Sequence, residues 1–403
     1  MVTYAQSSSL VVPSESAAAS SFKLTCKQGD LARALSIVSH GVLEHSTIPI
    51  LKNILVATDQ GRLRVSATTL DLGIQCWIDA QIEQEGTTAL PASLFARMVS
   101  ALPSEKMTLS IKEGSQTLGV QCTGSFTNIR GCDPREFPII PGIEGIAPVI
   151  IDAALLKSMN GQVAFAASAD ISKPVMTAVL LLVGRDTMTL AAADEFRLAE
   201  RVAPLQGVRE PQAPVLIPAK NLLELARILP TSGPVQIGIT PSRNQAIFAL
   251  RQGEQIDVVF RLIEGKFPNY QRVIPVSSTT RAVLDTKAFA AALGRAALFA
   301  IDSKKSARIT VKGPGDGVLF GQLIIEADDA DLGNHVDVVA AEVAGSDQQI
   351  IFHVKYLAEA LGNIDTPQVS FSLIGQGRPG VLRPMSEVAY TSLLQSMSMG
   401  KVA

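Results

Sequence analysis

The chain has 403 residues, enough for two or three domains with cores of their own. Apolar residues make up 47% and charged residues 18%, the composition of a soluble globular protein. A net charge of −2 excludes a uniformly basic surface but not a local basic face. No apolar run reaches the ~18 residues of a membrane helix. Cys26, Cys76, Cys122 and Cys132 form no CxxC pair and read as reduced thiols of a cytosolic protein. Residues 1–21 are rich in Ser and Ala and carry no Lys or Arg, so they read as a disordered extension rather than a targeting segment.

In chain order, a strand over Phe22–Cys26 precedes Asp30, an expected N-cap for a helix over Leu31–Val38 that Ile48-Pro49 breaks. Strands over Leu51–Ala57 and Leu63–Thr68 flank an Asp59-Gln60-Gly61 turn, and Ile74–Ile78 continues the sheet. The stretch PASLFARMVSALP, Pro91–Pro103, has helical apolar spacing with proline at both ends. Strands follow over Met107–Ile111 and Thr117–Cys122, and Phe137-Pro138 closes this part.

The same order then returns. Val149–Ile151 reads as strand, Asp152 as a cap and Ala153–Ala164 as helix. Lys173-Pro174 is a break, and strands run over Val179–Val183 and Met188–Ala192. PAKNLLELARILP, Pro218–Pro230, repeats the proline-bounded helix 127 positions on, before strands over Val235–Ile239 and Ala246–Leu250 and a second Phe-Pro at Phe267-Pro268. A third round opens at Arg281–Leu284. Asp285 or Thr286 caps a helix over Lys287–Ala300. Strands over Arg308–Val311 and Val318–Glu326 flank a turn at Gly313–Gly317. A helix over Val354–Leu361, strands over Gln368–Leu373 and Gly380–Leu382, and an apolar stretch at Leu393-Leu394 complete it. A period near 125 residues means tandem whole domains, each an α+β unit of two helices and mostly antiparallel strands. The domains divide as 22–145, 146–276 and 277–403.

The six helices carry acids at their starts and mainly bases in their interiors: Arg33, Arg97, Lys157, Arg227, Arg295 and Lys355 against Glu224 and Glu359. Two readings stand open. The bases are solvated helix faces, or they line one positive surface suited to a phosphate backbone, without aromatic residues for base stacking. The four histidines show no metal-ligand spacing, and no GxGxxG, P-loop or GxSxG is present, so neither metal nor cofactor is implied.

Three runs carry a resemblance: Ala193-Asp194-Glu195-Phe196-Arg197-Leu198-Ala199, Ile217-Pro218-Ala219-Lys220, and Glu264-Gly265-Lys266-Phe267-Pro268-Asn269-Tyr270-Gln271-Arg272-Val273-Ile274-Pro275. Together with the threefold repeat, over about residues 22–399, the chain resembles the bacterial sliding clamp, the beta subunit of the replicative DNA polymerase. The resemblance implies three tandem clamp domains. It also implies a head-to-tail homodimer ring, with helices inside and sheets outside, around double-stranded DNA of any sequence. The ring would tether the polymerase catalytic subunit, the clamp loader and other motif-bearing proteins without chemistry of its own.

The same resemblance places a partner-peptide pocket on Met176, Thr177, Arg197, Leu198, Pro268, Arg272, Val273, His353, Tyr356, Pro379, Leu393 and Met397. It adds His45, Lys173 and Lys220 to the DNA-facing bases, and puts Phe126, Leu298 and Phe299 at the dimer contact. The sequence departs from the family in two places. Glu195-Phe196 stands where Gly-His is usual, and the end reads Gln395-Ser396-Met397-Ser398-Met399 instead of Met-Pro-Met-Arg-Leu. The alternative is a sequence-nonspecific DNA-binding scaffold that does not close into a ring.

Overall fold

A computed structural model describes residues 22–112, 115–205, 210–251, 253, 255–301, 305–314 and 320–397. The expected extension over 1–21, Gly315–Gly317 of the third turn, the start of the strand expected from Val318, and Ser398–Met399 lie outside the described residues.

Three modules follow one another. The first runs β1 (Phe22–Lys27), α1 (Gln28–Val38), β2 (Asn53–Asp59), β3 (Arg62–Thr68), β4 (Leu72–Ile78), β5 (Ala80–Gln84), β6 (Thr87–Pro91), α2 (Ala92–Ala101), β7 (Lys106–Ile111), β8 (Thr117–Cys122) and β9 (Ser125–Arg130). The second runs β10 (Val149–Asp152), α3 (Ala153–Ala164), β11 (Ala178–Val183), β12 (Thr187–Ala193), β13 (Arg197–Pro204), β14 (Val215–Pro218), α4 (Ala219–Ile228), β15 (Pro234–Ile239), β16 (Gln245–Leu250) and β17 (Gln255–Arg261). The third runs β18 (Thr280–Asp285), α5 (Thr286–Ala296), β19 (Ser306–Lys312), β20 (Gly321–Asp329), β21 (Gly333–Gly345), β22 (Gln348–His353), α6 (Val354–Leu361), β23 (Gln368–Leu373), β24 (Gly380–Pro384) and β25 (Tyr390–Leu394).

The strand orders repeat as well. The runs β6-β2-β3-β4, β14-β11-β12-β13 and β22-β19-β20-β21 are equivalent, as are β1-β7-β8-β9, β10-β15-β16-β17 and β18-β23-β24-β25. Every pairing with a defined register is antiparallel. In the first module one strand edge is split into β4 and β5. In the third, the single long β21 serves both sheets, pairing β20 through its first half and β18 through its last residues. The chain therefore carries the same α+β design three times.

Two compact units result. One holds residues up to 141 with 253–256, and the other holds 142–252 with 257–403. The second and third modules share a unit because β13 pairs with β25, from Arg197 opposite Leu394 to Arg201 opposite Tyr390. That ladder continues one sheet across both modules.

Within each module the two helices lie side by side against the sheets. A buried side-chain amide joins the pair in two modules. Gln28 Nε2 donates to the Val99 carbonyl at 2.8 Å, and Asn160 Nδ2 to the Leu222 carbonyl at 3.5 Å. Apolar faces at helical spacing supply the rest: Phe95 and Val99 in α2, Leu222 and Leu225 in α4, and Phe289 and Leu293 in α5 are all buried. In the third module Phe371 of β23 packs its ring 5.9 Å from Phe289 and 5.6 Å from Phe352. Gly380 must stay glycine there, since a Cβ would sit 2.8 Å from both the Phe352 and Phe371 rings.

Several local expectations change. Asp30 lies in the first turn of α1 and does not cap it; Lys27 holds that position without a side-chain bond. Its carboxylate still meets the positive end of the helix dipole. Pro91 and Pro218 end β6 and β14 and serve as the residue before the helix, not as its first residue. Asp152 does cap α3, accepting from the Ala154 and Leu155 amides at 2.9 and 3.2 Å, and Asp285 caps α5 through the Ala288 amide at 2.7 Å. Helix α5 ends at Ala296, four residues before the expected Ala300. Strands β5, β6, β9, β13, β14, β17, β21 and β22 had no sequence expectation. In β21 charged and apolar residues mix along a largely exposed strand, so its pattern shows no clean period of two.

Candidate functional site

Most of the expected pocket residues meet in the second unit. Strand β13 brings Leu198 opposite Leu393 of β25, and Leu393 in turn lies opposite Val381 of β24. These three join a buried cluster with Ala178, Leu180, Phe267 and Tyr270, against which Met176 and Val175 pack half-buried. A 3-10 turn over Pro174–Thr177 presents Met176, and the Thr177 hydroxyl closes it by donating to the Pro174 carbonyl at 2.8 Å. The segment from Phe267 enters the same cluster. Its Tyr270 N–H donates to the Pro268 carbonyl at 2.8 Å and its hydroxyl to Glu200 at 2.7 Å. Burial and that carboxylate push the Tyr270 phenol up, so it stays a donor. The next turn leaves Arg272 and Val273 at the surface. Pro379, half-buried, precedes Gly380 at the start of β24. The result is an apolar floor with exposed rim residues, the surface that a short peptide with apolar anchors needs.

The other end is aromatic and charged. Arg197 bonds Asp194 through Nε at 3.0 Å and also pairs with Glu359 of α6. Its guanidinium carbon stands 4.5 Å from the Tyr356 ring centre and 5.4 Å from that of Phe165. Tyr356 stacks on His353 at 4.3 Å. Met397 reaches this end by donating its N–H to the Ile351 carbonyl at 2.8 Å, and Gln395 N–H donates to the Phe196 carbonyl at 2.7 Å. The altered C-terminal wall is thus pinned to both modules through its backbone. Phe165, Phe196, Val175, Val381 and Glu359 lie among these residues and were not part of the expected pocket. The signal for Phe196 was the departure itself beside Arg197.

Burial, then the charges of Lys305 and Lys355, hold the His353 imidazole below its usual range. The folded state then binds fewer protons than the unfolded state between the two pKa values. His353 contributes stability above the unfolded value of about 6.5, and this is lost as the pH falls through the folded value. Thermal melts of the wild-type chain and of His353→Gln between pH 8 and 5 test this. The wild type should lose more stability on acidification than the variant; equal losses would refute it.

The candidate DNA-facing bases are all exposed, on helices or in loops: His45, Arg97, Lys157, Lys173, Lys220, Arg227, Arg295 and Lys355. Several are paired within the chain. Arg227 bonds Glu224 at 2.7 Å, Arg295 bonds Asp337 at 2.6 Å, Lys355 lies 3.7 Å from Glu359, and Lys173 bonds Glu195. Exposed pairs of this kind contribute little, so a phosphate could displace the carboxylate. Helices α3 and α4 lie side by side, as do α5 and α6.

Of the candidate dimer residues, Phe126 on β9 is 66% exposed and Leu298 65% exposed. Phe299 instead lies flat on His335 of β21, with ring centres 5.5 Å apart and planes 7° apart. His335 and Arg295 both bond Asp337, at 3.0 and 2.6 Å, which ties the end of α5 to the first half of β21. All four cysteines are free thiols, and burial, then Asp30, pushes Cys26 up to about 12. No helix among the described residues is long and apolar enough to cross a membrane.

Three copies of a two-helix, two-sheet module, the second and third joined by a continued antiparallel ladder, define a clamp-type protein. Residues 22–141, 150–269 and 271–398 match the N-terminal, central and C-terminal domains of the DNA polymerase III beta subunit. The chain belongs to this family, the bacterial beta sliding clamps. It is 32% identical over 397 residues to the beta sliding clamp of Synechocystis sp., covering 94% of this chain and 99% of that one. The Bacillus subtilis clamp is 28% identical over 384 residues, covering 92% and 98%. Among solved structures, a Bacillus subtilis sliding clamp matches with a TM-score of 0.88 at 26% identity, over 94% of this chain and all of that one. A Caulobacter crescentus clamp, with polyethylene glycol at its beta-motif tethering region, matches with a TM-score of 0.84 at 26% identity, over 95% and 100%.

Proposed function

We propose that two copies of this chain join head to tail into a closed ring that encircles duplex DNA, slides on it, and tethers the replicative polymerase and other proteins bearing a short apolar motif. The observation that supports ring closure lies in the strand orders. Within the chain, β13 ends one sheet of the second module and takes up β25, which ends the other sheet of the third. Two of their equivalents are left open. Strand β9 stands at the end of its sheet, and residues Gly333–Ala340 of β21 pair only with β20 among the described residues. Phe126 is exposed on the first edge, and Val336 and Val338, 57% and 56% exposed, on the second. A β21 edge on one copy meeting β9 on the other would repeat the internal junction. Two different edges make a heterologous contact, which forms a ring when the rotation closes.

In this reading the bases on the helices meet phosphates without reading bases, and the pocket in the second unit takes the partner peptide. The ring performs no reaction itself; its work is topological. Retention on DNA circles tests it. The protein should stay on a nicked circle through a gel-filtration column and leave once the circle is cut. Equal retention on linear DNA with open ends would overturn ring closure and favour an open scaffold.

A further inference from the structure

The segment that links the second module to the third is rich in hydroxyls: Ser277, Ser278, Thr279 and Thr280 follow Pro275-Val276. The two threonines bond backbone. Thr279 Oγ1 donates to the Leu373 and Ile374 carbonyls at 3.2 and 2.9 Å, and Thr280 Oγ1 donates to the Ser346 carbonyl. Those bonds hold the link against the end of β23. Ser277 and Ser278 instead line a small cavity whose far wall is Ser372, Val381 and Arg383. The cavity holds about 80 Å³. A single water needs about 10–15 Å³, so a tetrahedral ion of five heavy atoms fits. Among the described residues no carboxylate lines it.

Three hydroxyls and one guanidinium therefore meet without a negative group in the lining. Ser372 is only 9% exposed and stands opposite Arg281 of β18 and Val381 of β24. Ser370, on the same face of β23, stands opposite Arg383 and accepts from Arg281 Nε at 3.1 Å. Arg383 is half-buried and anchored by its Nε, which donates to Thr391 Oγ1 at 3.2 Å. That bond uses one of its five donors. A charged donor beside hydroxyls, screened from water on one side by the link, favours an anion, because bonds to a charged group are about twice as strong as neutral ones. We propose that this cavity binds one phosphate-sized oxyanion, free or carried as a monoester, and so ties the link between the modules to β23 and β24. Val381 belongs both to this cavity and to the apolar floor of the peptide pocket, but the inference needs neither that pocket nor ring closure.

The test is a phosphorus NMR titration of the full chain, at ionic strength held constant with sodium chloride, with inorganic phosphate in one arm and phenyl phosphate in the other. The resonance should broaden saturably in at least one arm, with a Kd on the order of 1 mM, as a ligand of so few atoms allows. Binding in either arm supports the site, and the tighter arm tells a free ion from a monoester. Arg383→Gln should weaken binding at least tenfold or so, through the lost charge-assisted bonds. Ser277→Ala with Ser278→Ala changes only exposed side chains, so it should keep the melting temperature while weakening binding roughly three- to tenfold. The triple variant with Arg97, Lys157 and Arg227 reversed to glutamate should bind as the wild type does. Loss of binding in that triple variant would place the ion on the helices and overturn the inference. So would the absence of saturable binding to the wild type in both arms, or a Kd unchanged by Arg383→Gln and by the double serine variant.

Discussion

Replacing Leu298 and Phe299 together by aspartate should convert the proposed ring into monomers. Leu298 already faces water in the single chain, so its change costs the fold little. Phe299 lies on His335, and an aspartate there would lose that stack and stand near Asp337. At a junction between copies, however, both carboxylates would be buried against apolar surface without partners. Burying one unpaired charge costs about 3–5 kcal/mol, so dimer affinity should fall by on the order of a hundredfold to several thousandfold. Sedimentation velocity at micromolar concentration should show one species at the monomer mass of 42.6 kDa. Phe126→Asp is the companion variant. It changes the opposite edge, on β9, at a residue 66% exposed within the chain, and so should leave the melting temperature intact while giving the same monomer. A wild-type dimer mass for both variants would show that neither edge takes part.

Reversing Arg97, Lys157 and Arg227 to glutamate should weaken binding to short duplex DNA and flatten its salt dependence. Each of these side chains is exposed on a helix. Arg227 is paired with Glu224, but an exposed pair of that kind is easily exchanged for a phosphate. Every base that no longer neutralises a phosphate takes about 0.9 off the slope of log affinity against log salt, so reversal of all three should lower it by roughly 2–3. Anisotropy with a labelled duplex of about 20 base pairs over a salt series reads this directly. Arg295 is left out because it holds Asp337 beside the expected junction, where reversal would disturb assembly as well as DNA binding. An unaltered slope would place the three bases away from the DNA backbone.

Helix α3 is legible in the sequence to the residue, because Asp152 caps it and its apolar spacing ends at Ala164. Helix α6 is equally legible from periodicity alone. The Gln60-Gly61 turn shows because both residues take positive φ, 50° and 76°, which glycine at the second position favours. Strand β21 stays hidden because it serves two sheets and exposes most of its side chains. In the pocket, Met176, Leu198 and Leu393 come through resemblance, whereas Phe165 and Glu359 carry no local mark. They matter only because Arg197 reaches both.

Local chemistry along the chain was sufficient to specify three rounds of one α+β design, two of the helix caps, and which helix faces turn to water. Those features depend on neighbours within a turn or a hairpin, and the residue order states such neighbours directly. The tertiary structure alone decided which strands remain open and which residues meet across modules. The Arg201 guanidinium, for example, reaches the Ala389 carbonyl across 188 positions, where β13 takes up β25. Pairing at that range depends on backbone groups that every residue carries and on the edge left exposed once each sheet is built, and no local pattern records that.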